Sequence, residues 1–201
     1  MGKEKPSMSD DPIQDLALAF RGGDSEAFVQ LVEDLQDRFF RLAYRITHDH
    51  DAALDVAQDA FVKIHDRIDR WDGQSRFTSW AYRVVTNMAI DLLRKQKRET
   101  KAREARALEQ PEVVEDRSED SLVAEERAKL VEQVKAAIEA LPPGQRAIVA
   151  LRHYEGCTLK EISEIRGCAL GTVKSTLHQA FRSLRRTLGS ETLQRAGQVS
   201  A

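Results

Sequence analysis

Aromatic residues are scarce in this chain: Phe, Trp and Tyr make up 6% of its 201 residues, and only two are tryptophan. Sheets draw on β-branched and aromatic side chains, whereas Ala, Leu, Glu, Arg and Lys, abundant here, favour helix. Long apolar runs are also missing, so no segment reads as a bilayer span. The N-terminal MGKEKPSMSDDP lacks the apolar stretch of a secretion signal. These absences point to a cytoplasmic protein with no membrane insertion. Cysteine occurs twice, at Cys157 and Cys168. The helix expected between them holds them about 14 to 16 Å apart, beyond disulfide reach. Without a CxxC pair they read as small buried hydrophobes. No catalytic constellation and no metal or other cofactor site emerges. His48 and His50 beside Asp49 and Asp51 fit a helix N-cap turn, and a nuclease built on Asp55, Asp59 and His65 lacks a cleft signal.

Charge is balanced overall, at a formal −2, but unevenly distributed. Seven basic residues fall between Arg94 and Arg106, eight acids between Glu109 and Glu126, and no acid at all between Gly167 and Gly189. Two separated cationic patches point to a polyanion partner. The acidic stretch EQPEVVEDRSEDS, residues 109–121, has no helical periodicity and reads as a flexible linker. The expected architecture is all-α: two small helical domains, 11–98 and 125–188, joined by a flexible acidic linker over 99–124. A disordered N-terminus (1–10) and a short tail (189–201) flank them.

In the first domain, Asp10 or Asp11 caps a short helix with Pro12 in its first turn, and Gly22-Gly23-Asp24 closes it. From Ser25, a second helix places Phe28, Leu31, Val32, Leu35, Phe39, Leu42 and Ile46 on one stripe. A third turns Ala53, Val56, Ala57, Ala60, Phe61, Ile64 and Ile68 inward and leaves Asp55, Gln58, Asp59 and Asp66 outward. The fourth, from near Ser75 to about Arg98, has a core stripe (Phe77, Ala81, Val84, Val85, Met88, Leu92) and a second stripe of Arg76, Arg83, Asn87, Ile90 and Arg94. Both tryptophans, Trp71 and Trp80, bracket the polar turn that leads into it. Aromatics, a Gly-containing loop and an Arg/Asn face suit single-stranded nucleic acid, which needs a cationic track and a pocket for unstacked bases.

The second domain carries helices around Glu125–Leu141 and Gly144–Tyr154, split by Pro142-Pro143. Thr158 and Glu161 form a capping box. Leu159, Ile162 and Ile165 face inward, Gly167 breaks the chain, and a helix from about Leu170 buries Val173, Leu177, Ala180, Phe181 and Leu184. This pattern is a helix-turn-helix. The outer face of its second helix bears Lys174, Ser175, His178, Gln179, Arg182 and Arg186, a carboxylate-free surface suited to the major groove.

The stretches DVAQDAFVKIHDRIDRWDGQSRFTSWAYRVVTNMAIDLLRKQKR and LPPGQRAIVALRHYEGCTLKEISEIRGCALGTVKSTLHQAFRSLRRTL resemble regions 2 and 4 of the extracytoplasmic-function sigma factors. These are the small promoter-specificity subunits of bacterial RNA polymerase, and they are not enzymes. The resemblance runs from about Ile13 to Leu188, in the family's order, with its short linker. It implies that Asp55, Gln58 and Asp59 dock on the core polymerase. It assigns Trp71, the turn Asp72, Gly73, Gln74, Ser75 and Arg76, and Asn87, joined here by Arg83 of the same stripe, to melting and reading the minus-10 element. Lys174, Ser175, Thr176, His178 and Arg182, with Gln179 and Arg186 on the same face, are assigned to the minus-35 element. Promoter DNA, core RNA polymerase and an anti-sigma factor are the implied partners. The alternative is a stand-alone helix-turn-helix regulator, whose first half would bind a ligand or dimerise.

Overall fold

The computed structural model describes residues 11–104 and 122–199, and no strand occurs among the described residues. The helices are α1 (Pro12–Arg21), α2 (Ser25–Thr47), α3 (His50–His65), α4 (Phe77–Glu104), α5 (Leu122–Glu139), α6 (Pro143–His153), α7 (Leu159–Arg166) and α8 (Leu170–Val199), with a single 3-10 turn at Ile68–Arg70. The expected N-terminal segment and most of the expected linker lie outside the described residues.

Local chemistry sets the boundaries. Pro12 occupies the first turn of α1, where its missing N–H costs nothing. The Asp24 carboxylate accepts from the Glu26 and Ala27 amides at 3.0 and 3.3 Å, opening α2. His48, at φ 57°, ends α2 in the left-handed region, and Asp49 then caps α3 by accepting from the Ala52 amide at 2.9 Å. Pro143 starts α6 directly after Pro142, which separates it from α5.

The α2 stripe is the centre of the fold. Leu31, Leu35, Phe39, Leu42 and Ile46 are all buried, each contributing on the order of 1.5 to 3 kcal/mol by leaving water. They meet Ala53, Val56, Ala57, Ala60 and Ile64 of α3 and Phe77, Ala81, Val85 and Ala89 of α4, and Phe39 stacks on Phe61 at 4.6 Å. The second half does not stand apart. Ile148 and Leu151 of α6, Ile162 and Ile165 of α7 and Val173 of α8 join this same apolar cluster, while Ala137, Leu141, Val149, Ala180 and Leu184 form a smaller one. α6 packs on α2 and α4, and α7 packs on α4. Polar bridges reinforce the seam: Arg146 donates to the Ile46 carbonyl at 2.7 Å, and the Arg45 guanidinium lies 3.4 Å over the Tyr154 ring.

Several expectations change. Ile90, placed with the polar stripe of α4, is 2% exposed, because that side of α4 is covered by α7. Phe181 is 39% exposed. The buried line of α8 runs Val173, Ala180, Leu184, and Phe181 stands about 100° round from Ala180. It meets His153 edge-on at 5.3 Å instead. α3 stops at His65, so Ile68 reaches the core from the 3-10 turn. α4 continues past Arg98 to Glu104.

Candidate nucleic-acid interface

The turn between the tryptophans is held from within. The Asp72 carboxylate accepts from the amides of Gln74 and Ser75, both at 2.9 Å, and from the Ser75 hydroxyl at 2.8 Å. These bonds stabilise its charged form and lower its pKa, with the Ser75 amide the largest cause. Gly73 turns the chain at φ 76°, a conformation that side chains with a Cβ adopt at a cost. Trp71 is 1% exposed; its indole N–H donates to the Ser75 carbonyl at 3.0 Å, and its ring packs edge-on to Phe77. The buried ring packs beneath the turn and builds the loop from below. Trp80 is half-buried and leans on Phe77 at 5.8 Å. Asp72, Gln74, Ser75 and Arg76 are exposed, so the polar turn is the part that faces outward.

One face of α4 continues from this turn through Arg76, Arg83 and Asn87, and each meets α7 or its C-cap. Arg76 pairs with Glu161 at 2.9 Å and with Asp11 at 3.5 Å. The Asn87 amide oxygen accepts from Arg166 at 3.0 Å. Arg83 lies so close to Gly167 that a Cβ there would stand 2.9 Å from its guanidinium. Alongside, the Tyr82 hydroxyl donates to Glu155 at 2.8 Å. Burial first, then the Glu155 charge, raises the pKa of that phenol. A polar cavity of about 570 Å³ opens among Arg38, Arg76, Tyr82, Glu155, Cys157 and Glu161. Both cysteines are free; Cys157 is buried as expected, and burial pushes its thiol up to about 11. Cys168 is only half-buried.

The helix-turn-helix is built as its sequence dictates. The Thr158 hydroxyl accepts from the Glu161 amide at 3.2 Å, and the Glu161 carboxylate accepts from the Thr158 amide at 2.7 Å. Gly167 closes α7 at φ 61°. Beyond it, Lys174, Ser175, His178, Gln179, Arg182 and Arg186 are exposed on α8, and Thr176 is half-buried beside them. Positive charge on this face has no carboxylate of its own helix to neutralise it between Gly167 and Gly189.

Asp55, Gln58 and Asp59 are exposed together on α3. Leu54 and Val62, at 42% and 60% exposure, complete an apolar edge on the same face that the sequence reading passed over. Their spacing of four on either side of Gln58 was the available signal. A groove of about 250 Å³ between α2 and α3, lined by Val32, Gln36, Phe40, Leu54, Gln58 and Phe61, lies alongside. Also missed were Glu155, Glu161 and Arg166 as partners of the α4 face. No local pattern marks them, because they lie 73 to 85 residues away along the chain. No helix among the described residues is long and apolar enough to cross a membrane.

Residues 31–99 match the Sigma-70 region 2 family and residues 131–184 the Sigma-70 region 4 family. The chain is 32% identical over 174 residues to the ECF RNA polymerase sigma factor SigW of Bacillus subtilis, covering 83% of this chain and 91% of that one. It is 31% identical over 166 residues to the ECF RNA polymerase sigma-E factor of Escherichia coli, covering 81% and 86%. Among solved structures, CnrH in complex with the cytosolic domain of CnrY is similar with a TM-score of 0.64 and 22% identity, over 89% of this chain and 97% of that one. RpoE in complex with the anti-sigma factor NepR, from Bartonella quintana, is similar with a TM-score of 0.61 and 23% identity, over 81% and 97%. Both likenesses concern the fold. With two sigma regions in series on an all-helical frame and relatives of this identity along nearly their whole length, the chain belongs to the extracytoplasmic-function RNA polymerase sigma factors.

Proposed function

We propose that this sigma factor joins core RNA polymerase in the cytoplasm and reads a promoter in two chemically different ways: the minus-35 element as duplex and the minus-10 element as melted strand. The observation that carries this reading is the pairing of two distinct surfaces. One is the outward, carboxylate-free face of α8. The other is a polar turn held rigid by Asp72 and Trp71. On the α8 face, Lys174, Ser175, Thr176, His178, Gln179, Arg182 and Arg186 meet base edges and phosphates in the major groove. At the turn, Asp72, Gly73, Gln74, Ser75 and Arg76 surround an extruded base while Arg83 and Asn87 follow the strand. Capture of that base offsets an unstacking cost of a few kcal/mol. The exposed Asp55, Gln58 and Asp59, with the apolar edge of Leu54 and Val62, supply the polymerase-docking face. Docking fixes the spacing of two individually weak DNA contacts, which then add through effective concentration. An anti-sigma factor is the expected regulator; the solved relatives named above were captured with such a factor or with a cytosolic domain.

Run-off transcription with purified core polymerase over a randomised promoter library tests the reading. Enrichment of two conserved blocks at fixed spacing is expected. Failure to form a complex with core polymerase, together with tight dimeric binding to duplex DNA alone, would establish the stand-alone regulator instead.

A further inference from the structure

We infer that α1 is a brace for the base-reading turn and that Gln14 is its positioning residue, fixing which base the turn accepts. The inference rests on the proposed role of that turn in reading the minus-10 strand. Asp11, Gln14, Leu18 and Arg21 recur every three or four residues, so they share one side of α1 and the cap before it. Ala17 and Phe20, on the adjoining side, are buried. Each member of the stripe meets the turn. The Gln14 amide spans its end: Oε1 accepts from the Phe77 N–H at 2.8 Å, and Nε2 donates to the Ser75 carbonyl at 3.5 Å. Leu18 and Arg21 stand against Gly73, where an added Cβ would lie 3.6 and 2.5 Å from them. Asp11 pairs with Arg76 at 3.5 Å. The Phe77 N–H opens α4 and has no carbonyl of its own helix to reach, so Gln14 caps it from 63 positions away. The Ser75 carbonyl is pinned twice, by Trp71 from beneath and by Gln14 from α1. A side-chain amide carries at once the acceptor and the donor that these two backbone groups require. Asp72, Gln74, Ser75 and Arg76 are exposed, so hydrogen bonds rather than burial hold them. An exposed turn selects one base only if its groups are kept within about 0.5 Å of the geometry that base needs. α1, Pro12–Arg21, precedes residues 31–99 that match region 2, so part of the turn's support comes from outside that region.

The test uses the full chain with core polymerase. Gln14→Met removes both polar atoms at nearly the same length, whereas Gln14→Glu keeps an acceptor for the Phe77 N–H and loses the donor to Ser75. Gln30→Met, at an exposed position of α2, is the matched control, and Gln74→Ala with Ser75→Ala alters the turn itself. Two quantities are read: co-elution with core polymerase, and permanganate reactivity of the melted strand on promoters carrying each base at each minus-10 position. Gln14→Met is expected to reduce the preference for one base at one minus-10 position by about three- to tenfold, the range that loss of one such hydrogen bond opens. That position is the one the turn variant also alters. Gln14→Glu gives a smaller reduction, Gln30→Met gives none, and co-elution is unchanged throughout. A purely structural role for Gln14 would lower all promoters evenly and leave the base preference as it was. An even loss, or an unchanged profile, in Gln14→Met while the turn variant shifts the profile refutes the brace. If neither variant shifts it, the reading role of the turn fails and the brace falls with it. Should Gln14→Met lose helicity, Gln14→Glu decides by the same profile.

Discussion

Replacing Trp71 by Phe separates its structural contribution from a contact with DNA. The indole is 1% exposed, packs edge-on to Phe77 at 5.3 Å between centroids, and donates 3.0 Å to the Ser75 carbonyl. Phe keeps most of the apolar contact but removes the donor. That carbonyl otherwise receives only a long 3.5 Å bond from Gln14, near solvent, so water replaces part of the loss and the bond accounts for about 0.5 to 1.5 kcal/mol. The smaller ring adds about 1 kcal/mol for the contacts it gives up. Trp71→Phe is therefore expected to destabilise by about 1.5 to 2.5 kcal/mol, against about 3 to 5 kcal/mol for Trp71→Ala. Urea unfolding followed by circular dichroism measures both, and Trp80 remains as a single fluorescent reporter of the same core. Strand affinity should fall only as far as the loop loosens, so Trp71→Phe retains most of it. Unchanged stability in Trp71→Phe together with abolished strand binding would refute this reasoning, because the ring would then act on DNA rather than on the fold.

Arg182→Ala on the exposed face of α8 is expected to weaken minus-35 binding by about 1 to 3 kcal/mol at one base position, and a binding profile over sequence variants checks it. An even loss across all variants would assign Arg182 to phosphate. Asp55→Asn with Asp59→Asn should weaken association with core polymerase, read by co-elution, while leaving thermal stability within about 0.5 kcal/mol, as both groups are exposed. His48 has its pKa lowered chiefly by burial; Glu139 opposes this from 3.3 Å, whereas Arg146, Lys135 and Arg45 add to it. Because the unfolded chain then takes up the proton first, stability falls as pH drops below about 6.5 and levels off below the folded-state pKa. His48→Asn, which the left-handed conformation at φ 57° tolerates, should flatten that stretch of the stability-versus-pH curve.

Much of what is decided within a few residues was legible in the sequence, although the end of α3 at His65 and the 3-10 turn after it were not. Asp49 caps α3, Pro142 and Pro143 split α5 from α6, Thr158 and Glu161 close the box, and Gly167 makes the helix-turn-helix turn, whereas Asp24, read with Gly22 and Gly23 as the close of α1, caps α2. Apolar spacing likewise identified the α2 stripe and the polar outward face of α8, because the helical period separates the two sides of a helix, although it put Phe181 inside, where it is 39% exposed. What it left open was which partner covers each face. Trp71 could be placed at a loop edge but not known to be buried, since Phe77 and Ser75 enclose it only after the turn closes. Ile90 read as part of a polar stripe because the helix that covers it is 69 or more residues further along the chain, on α7. Glu161 was legible as a cap and illegible as the partner of Arg76. A cap is a bond between residues three apart, fixed by helix geometry, whereas the Arg76–Glu161 pair spans 85 positions and exists only through the docking of one half on the other.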